Sequence, residues 1–262
     1  MQKVFDELTT AFRKHDGVLN EEQYKHIATK HTTLLEDSDT IFILLQASGY
    51  PIEQQDEGGY RLETFFTPYR EQKYCVIDIE TNGSKPGTSQ VIEIGAIMVQ
   101  DGKVIDSYET FVECAYLPEY ITKITGIELE DLIAAPTRRE ALIGLRHFMG
   151  DAIFVAHNAN FDYSFLNASF ERFGLGGIGN PKLCTIDLAK RTFESERYGL
   201  AYLIDCLNIE AATHHRAFSD AVCANKVMKK SLETIPEYVK SADDLLRFSI
   251  SSKKERRIKK ES

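Results

Sequence analysis

Apolar positions recur along this chain with two different periods, and the change falls near residue 73. Before it the pattern is helical and short. Val4, Phe5, Leu8, Ala11 and Phe12 recur at three- and four-residue spacing and predict a first helix, closed at Gly17. Asn20, followed by Glu21, Glu22 and Gln23, reads as the start of a second helix with Tyr24 and Ile27 turned inward. Ser38 or Asp39 is a candidate cap for a third, running through Ile41, Phe42, Leu44 and Leu45 and ending near Gly49. Residues 50–52 and 60–62 then flank Asp56, Glu57, Gly58 and Gly59, a hairpin signal.

From Lys73 the pattern turns to strands. Residues 74–77 are continuously apolar and end in Asp78 and Glu80, as suits a buried central strand. Asn82, Gly83, Pro86 and Gly87 mark a turn, and residues 91–99 and 104–112 predict two more strands in an antiparallel meander. A helix is predicted over 137–150, a strand over 152–156, a helix over 161–173 stopped by Gly174, and a short strand over 182–185. Helical patterns follow over 198–207, 219–232 and 241–248. A meander followed by alternating strands and helices predicts an α/β domain, a mixed five-stranded sheet flanked by helices. The predicted division is a small unit over 1–70, a main domain over 72–235, and a C-terminal helix with a basic tail over 236–262.

Composition narrows the function classes. The 262 residues are 43% hydrophobic and carry a net charge of −9, which excludes a disordered chain and a broad electrostatic coat for nucleic acid. The longest apolar runs are far below the roughly 18 residues of a membrane span, and the first residues lack a signal-peptide pattern. Cys75, Cys114, Cys184, Cys206 and Cys223 form no C-x-x-C pair, which points to reduced thiols and a cytoplasmic setting. Residues 249–262 hold six basic and two acidic residues, a net +4, and read as a solvated tail or a local phosphate contact. The three short helices and hairpin of residues 1–70 resemble a winged-helix module. A DNA-reading version would place basic side chains on its third helix, but residues 40–47 contain no Lys or Arg and the unit carries a net −5. A protein-docking module is therefore the expectation.

Three acidic elements carry the candidate chemistry. Asp78 and Glu80 lie two apart at the end of a strand, so both side chains leave the same face, an arrangement suited to Mg²⁺ or Mn²⁺. A solvated strand end would look the same. Asp162 follows His157, Asn158 and Phe161 in the first turn of a helix, where an acid also favours the helix dipole. Asp220 lies five residues after His215, near the start of another helix. Zinc is a poor fit, because beyond the adjacent His214 no His or Cys falls at the usual ligand spacing.

Taken in order, these elements resemble the DEDDh branch of the DnaQ-like 3′→5′ exonucleases. The first motif matches Asp78, Ile79, Glu80 and Thr81, the second runs from His157 to Asp162, and the third from His215 to Asp220. The strand from Val91 to Ala96 and the loop Ile124, Thr125, Gly126, Ile127 are also similar to the family. The likeness covers about residues 72–235 and implies a ribonuclease H-like fold. It implies two divalent ions, Mg²⁺ or Mn²⁺, held by Asp78, Glu80, Asp162 and Asp220, with His215 as general base. Thr81, Thr125 and Asn158 resemble positions that grip the terminal nucleotide. Phe161 reads as core rather than as a ring for base stacking.

Within the family the likeness is to the proofreading, or epsilon, subunits of bacterial DNA polymerase III and their free-standing relatives. The implied substrate is a single-stranded or frayed DNA 3′ end, and the implied partner a polymerase catalytic subunit. The stretch from Asp243 to Phe248 resembles a sliding-clamp peptide through Leu246 and Phe248, but it lacks the leading Gln, and the end of an amphipathic helix explains it equally well. Two other readings stay open: an RNA 3′-end trimming exonuclease with the same acids, and a non-catalytic winged-helix scaffold or regulator.

Overall fold

The computed structural model describes residues 1–30, 37–56, 58–209 and 215–252. Glu57 of the hairpin signal, His214 and the basic residues of the tail from Lys253 onward lie outside the described residues.

The first unit is built from α1 (Gln2–Lys14), β1 (Val18–Leu19), α2 (Glu21–Lys30), α3 (Ser38–Ala47), β2 (Ile52–Gln54) and β3 (Tyr60–Leu62). Its core is the apolar stripe expected of α1, with Phe5, Leu8 and Phe12 packed on Tyr24, Leu45 and Tyr60. At the start of α2, Gln23 N–H donates to Asn20 Oδ1 and Asn20 N–H donates to Gln23 Oε1, both at 2.9 Å, so the two residues cap each other. The cap of α3 is Asp37, not Ser38 or Asp39: Asp37 keeps an extended backbone and accepts from Thr40 N–H at 2.8 Å, whereas the other two are already helical. β3 is central in a three-stranded sheet of order β1-β3-β2, with Ile52 opposite Leu62.

The main sheet has the order β6-β5-β4-β7-β8. β4 (Tyr74–Thr81) pairs antiparallel with β5 (Val91–Gln100), and β5 with β6 (Lys103–Phe111). On its other side β4 runs parallel to β7 (Ile153–Ala156), and β7 to β8 (Lys182–Cys184). Alternation along β4 assigns its side chains to two layers. Cys75, Ile77 and Ile79 face a core that contains Leu145 of α6 (Arg138–Met149) and Phe165 and Phe170 of α7 (Ala159–Arg172). Tyr74 and Val76 face a second core under α8 (Thr185–Thr192), α10 (Ala217–Leu232) and α11 (Ala242–Ile250). Each large side chain so buried stabilises the fold by about 2 kcal/mol. α9 (Leu200–Cys206) packs Leu203 on Ala189 and Val227.

Three helices were not expected: α8, α4 (Glu119–Thr125) and α5 (Leu129–Ile133). Each has eight residues or fewer, too short for a helical period to show in the sequence. α4 and α5 bury Ile121 and Leu132 against Ile92 and Cys114, and Thr125 is the last residue of α4 rather than a loop residue.

The two units are tied together by polar contacts. Arg13 donates to Asp243 Oδ1 at 3.0 and 3.2 Å. Arg146, stacked on Phe170, donates to the Ser48 carbonyl at 2.7 Å and the Gly177 carbonyl at 2.9 Å. The connecting segment pairs with the start of α11 through Tyr69 N–H to Lys240 O and Ala242 N–H to Thr67 O. Leu246 and Phe248, the side chains on which a clamp peptide would depend, are buried in the second core. Among the described residues no helix is long and apolar enough to cross a membrane, and the five cysteines are free thiols.

Candidate active site

The two-residue period of β4 continues past its apolar run, so Asp78 and Glu80 emerge on the same face as Val76, the face covered by α10. Cross-strand pairing sets Gly95 opposite Asp78 and Glu93 opposite Glu80. Gly95 is where the helix comes in: a Cβ there would lie 2.1 Å from the Phe218 backbone nitrogen. That approach brings in Asp220, from the first turn of α10. Asp78, Glu80 and Asp220, all half-buried, offer ligand oxygens that lie within 4.8 Å of one another.

Asp162 arrives from the other layer. β4 runs beyond the last residue paired with β7, Val76 opposite Val155, and so leaves backbone N–H groups on that edge without a strand neighbour. The N–H of Ile79 and the N–H of Asp162 itself face the Asp162 carboxylate, which is buried in the first turn of α7. It lies outside the close triad, but its charge is felt at both Asp78 and Glu80.

This concentration of acid has an electrostatic signature. Burial, then the charges of Asp162, Asp220, Glu80 and Glu93, hold Asp78 well above the ordinary carboxylate range. Glu80 is pushed up to about 7 by burial and then by Glu93, Asp220 and Asp162, with Arg216 opposing. Burial raises Asp162 to about 7 against the backbone N–H groups that lower it. An all-oxygen donor set of this kind fits a hard divalent ion, whose charge would favour the ionised acids.

The other expected residues divide. His215 stands just before α10 with a left-handed backbone, φ 59°, on the loop that leads to Asp220. Thr81, at a bulge next to Glu80, donates from Oγ1 to the Gly83 carbonyl at 2.8 Å. Asn158 is exposed at the N-terminus of α7 with φ 68°, a conformation Asn tolerates better than most residues. Thr125 is buried, donates to Ile121 O at 3.0 Å and accepts from Ile127 N–H at 3.2 Å, so its hydroxyl is committed locally. Phe161 packs on the first core beside Phe165, as expected of a core ring. His157 is not aimed at the acids: Nε2–H donates to the Tyr198 carbonyl at 2.9 Å, which leaves Nδ1 to accept from the Thr185 hydroxyl at 2.8 Å.

Two residues that the sequence reading did not single out stand beside the triad. Glu93, 1% exposed, accepts from Arg216 Nε at 2.9 Å and Nη2 at 2.7 Å on one oxygen, and from Ala217 N–H at 3.0 Å on the other. The available signal was a charge set inside the apolar run of β5, since a buried carboxylate requires a partner.

A carboxylate cluster at the end of the central strand of a helix-covered mixed sheet is suited to divalent-metal chemistry, and the family match places the chain among exonucleases. The signature of the RNase_T family, described as "Exonuclease", matches residues 75–228, and the chain belongs to that family. It is 36% identical over 171 residues to the PolC-type DNA polymerase III of Staphylococcus haemolyticus, covering 64% of this chain and 12% of that protein. Against the PolC-type DNA polymerase III of Caldanaerobacter subterraneus subsp. tengcongensis it is 34% identical over 178 residues, 67% of this chain and 13% of that one. The matched stretch thus spans about an eighth of the length of these curated relatives. Among solved structures, E. coli exonuclease I in complex with a dT13 oligonucleotide superposes with a TM-score of 0.55 at 19% identity, covering 62% of this chain and 41% of that one. That likeness carries the fold, which is the ribonuclease H-like α/β fold the motifs led us to expect.

Proposed function

We propose that the chain is a metal-dependent 3′→5′ exonuclease that removes nucleotides from DNA 3′ ends and serves as the proofreading activity of a DNA polymerase III. The observation that carries this reading is the meeting of Asp78, Glu80 and Asp220 within 4.8 Å, flanked by buried Asp162. Asp78, Glu80 and Asp220 would hold one divalent ion, Mg²⁺ or Mn²⁺, and Asp162 would help Asp78 to hold a second. When bound, the ions supply positive charge for the scissile phosphate and acidify attacking water. His215, on the loop just before α10, would serve as the general base toward the attacking water. Thr81 and Asn158 flank the ends of the elements that carry Glu80 and Asp162, where a terminal nucleotide would be gripped.

DNA is favoured over RNA by the relatives: the matched exonuclease I holds dT13, and the PolC-type proteins are DNA polymerases. Residues 1–70 carry three helices and a three-stranded sheet, and we assign them to docking on a protein such as the polymerase subunit. That assignment is supported by α3, which carries no Lys or Arg and exposes Ile43 and Leu44.

The test is time-resolved digestion of a 3′-mismatched DNA duplex, a fully paired duplex and a single-stranded RNA with Mg²⁺ or Mn²⁺, with Asp78→Ala as control. Faster loss of the mismatched end, absent in the variant, is the expected result. Preferential RNA digestion would move the chain to RNA trimming, and no metal-dependent cleavage of any of them would overturn the reading.

A further inference from the structure

The Glu93–Arg216 pair lies one strand away from the metal-site acids and one residue away from His215. Glu93 is a fully buried carboxylate near the start of β5, directly across from Glu80. It would add a further negative charge to an acid cluster that already resists ionisation, unless a cation were fixed beside it. The cation is Arg216, which places its fork on Glu93 Oε1 and stacks over the Phe111 ring at 5.3 Å. The neighbouring Ala217 N–H occupies Oε2 at 3.0 Å. One buried side chain therefore grips two successive residues, and the next residue back along the chain is His215, held at φ 59°. A non-glycine residue at positive φ persists only where its surroundings hold it.

We infer that Glu93 and Arg216 are positioning residues for hydrolysis, anchoring the C-terminal side of the His215 hinge so that the imidazole enters the site in one direction. This inference rests on the proposed role of His215 as general base. Asp220 does not depend on the pair in the same way. The backbone of Ala217 and Phe218 is pressed on Gly95, and Ala221, Ala224 and Val227 bury α10 independently. Loss of the pair should therefore slow turnover without loosening the metal site.

The test is a double-mutant cycle on the full chain, with Arg216→Gln and His215→Ala alone and combined. The readouts are kcat, KM for a single-stranded DNA, and the Mn²⁺ concentration for half-maximal activity. Arg216→Gln is expected to lower kcat at least about tenfold while KM stays within about twofold, and to add nothing in the His215→Ala background. Arg216→Lys is expected to restore part of the rate. Because Arg216→Gln leaves Glu93 buried without its cation, the pair Glu93→Gln/Arg216→Gln removes both charges, and it should fold and keep its metal dependence within about twofold while retaining the defect in kcat. Equal fractional losses in both backgrounds, or a weakened metal dependence in the charge-neutral pair, would show a merely structural pair and overturn the inference. Full activity of His215→Ala alone would overturn the base assignment and this inference with it.

Discussion

Asp78 and Gly95 are cross-strand partners, and the missing side chain of Gly95 is what admits α10 to the face on which Asp78 stands. The backbone of Ala217 and Phe218 occupies the space a Cβ would take, with contacts of 2.3 and 2.1 Å to an added methyl. Asp220 follows two residues later and completes the triad. A glycine on one strand thus determines whether an acid on a distant helix can reach its partners.

Gly95→Ala is accordingly expected to damage fold and site together. The methyl would meet backbone rather than a flexible side-chain end, so the cost falls at or above the upper part of the overpacking range, about 3 kcal/mol. Urea unfolding measures that cost. A Mn²⁺ titration should show weakened binding as Asp220 is displaced; unchanged binding would mean that α10 finds its place without this contact.

Asp78→Asn separates stability from function. Asp78 is held well above its ordinary range by burial and four neighbouring carboxylates, so an amide of the same shape relieves repulsion. The variant should melt at a higher temperature than the wild type in chelator, and should lose the rise in Tm that added Mn²⁺ gives the wild type. Turnover should fall about a thousandfold, the scale of several kcal/mol of lost charge stabilisation. A variant less stable than the wild type in chelator would contradict the repulsion argument.

Much of this site was legible in the sequence because its acids sit where secondary structure ends. Asp78 and Glu80 close an apolar run, and Asp162 and Asp220 fall in first helical turns, so local pattern made them candidates and the ordered set of three motifs singled them out. Glu93 and Arg216 were not legible as a pair because they lie 123 residues apart and only the fold brings them together. The same holds for the commitment of the Thr125 hydroxyl to Ile121 and Ile127, which depends on the short helix α4 that periodicity could not reveal. The cap of α3 was misplaced within Asp37, Ser38 and Asp39, three adjacent residues that are all good cap formers, and only the extended backbone at Asp37 decides among them.

The carboxylates predict an inverted pH dependence for the metal-free protein. Glu80 and Asp162 are both raised to about 7 in the folded state, well above their unfolded values, so the stability they contribute is present at low pH and lost as pH rises through about 7. His157 acts in the opposite sense: burial lowers it to about 4, so its contribution is present above its unfolded value of 6.5 and falls away below that. The clean window is therefore from about pH 8 down to about pH 6.5, in which the carboxylate effect dominates. In chelator, Tm should rise as pH falls across that window. Saturating Mn²⁺ should remove the trend, because ion binding favours the ionised acids. A metal-free Tm that falls from about pH 8 to about pH 6.5 would count against the acids as the dominant groups.

Arg13 and Asp243 predict how firmly the first unit is held. Asp243 is 2% exposed and sends Oδ1 to Arg13, while Oδ2 is buried with no hydrogen-bond partner and has Arg247 only at 3.9 Å. Removing Arg13 leaves a buried carboxylate with that one distant cation. The Arg13 side chain is itself 35% exposed, so the expected cost of Arg13→Ala lies below the full range for a buried pair, at about 2 kcal/mol. Adding Asp243→Asn should return part of that loss, since the neutral amide no longer needs the missing charge. Urea unfolding of the single and double variants measures both quantities. If the double variant were no more stable than Arg13→Ala alone, the arginine would act through packing across the junction rather than through charge, and Arg13→Met should then recover the loss that Asp243→Asn does not.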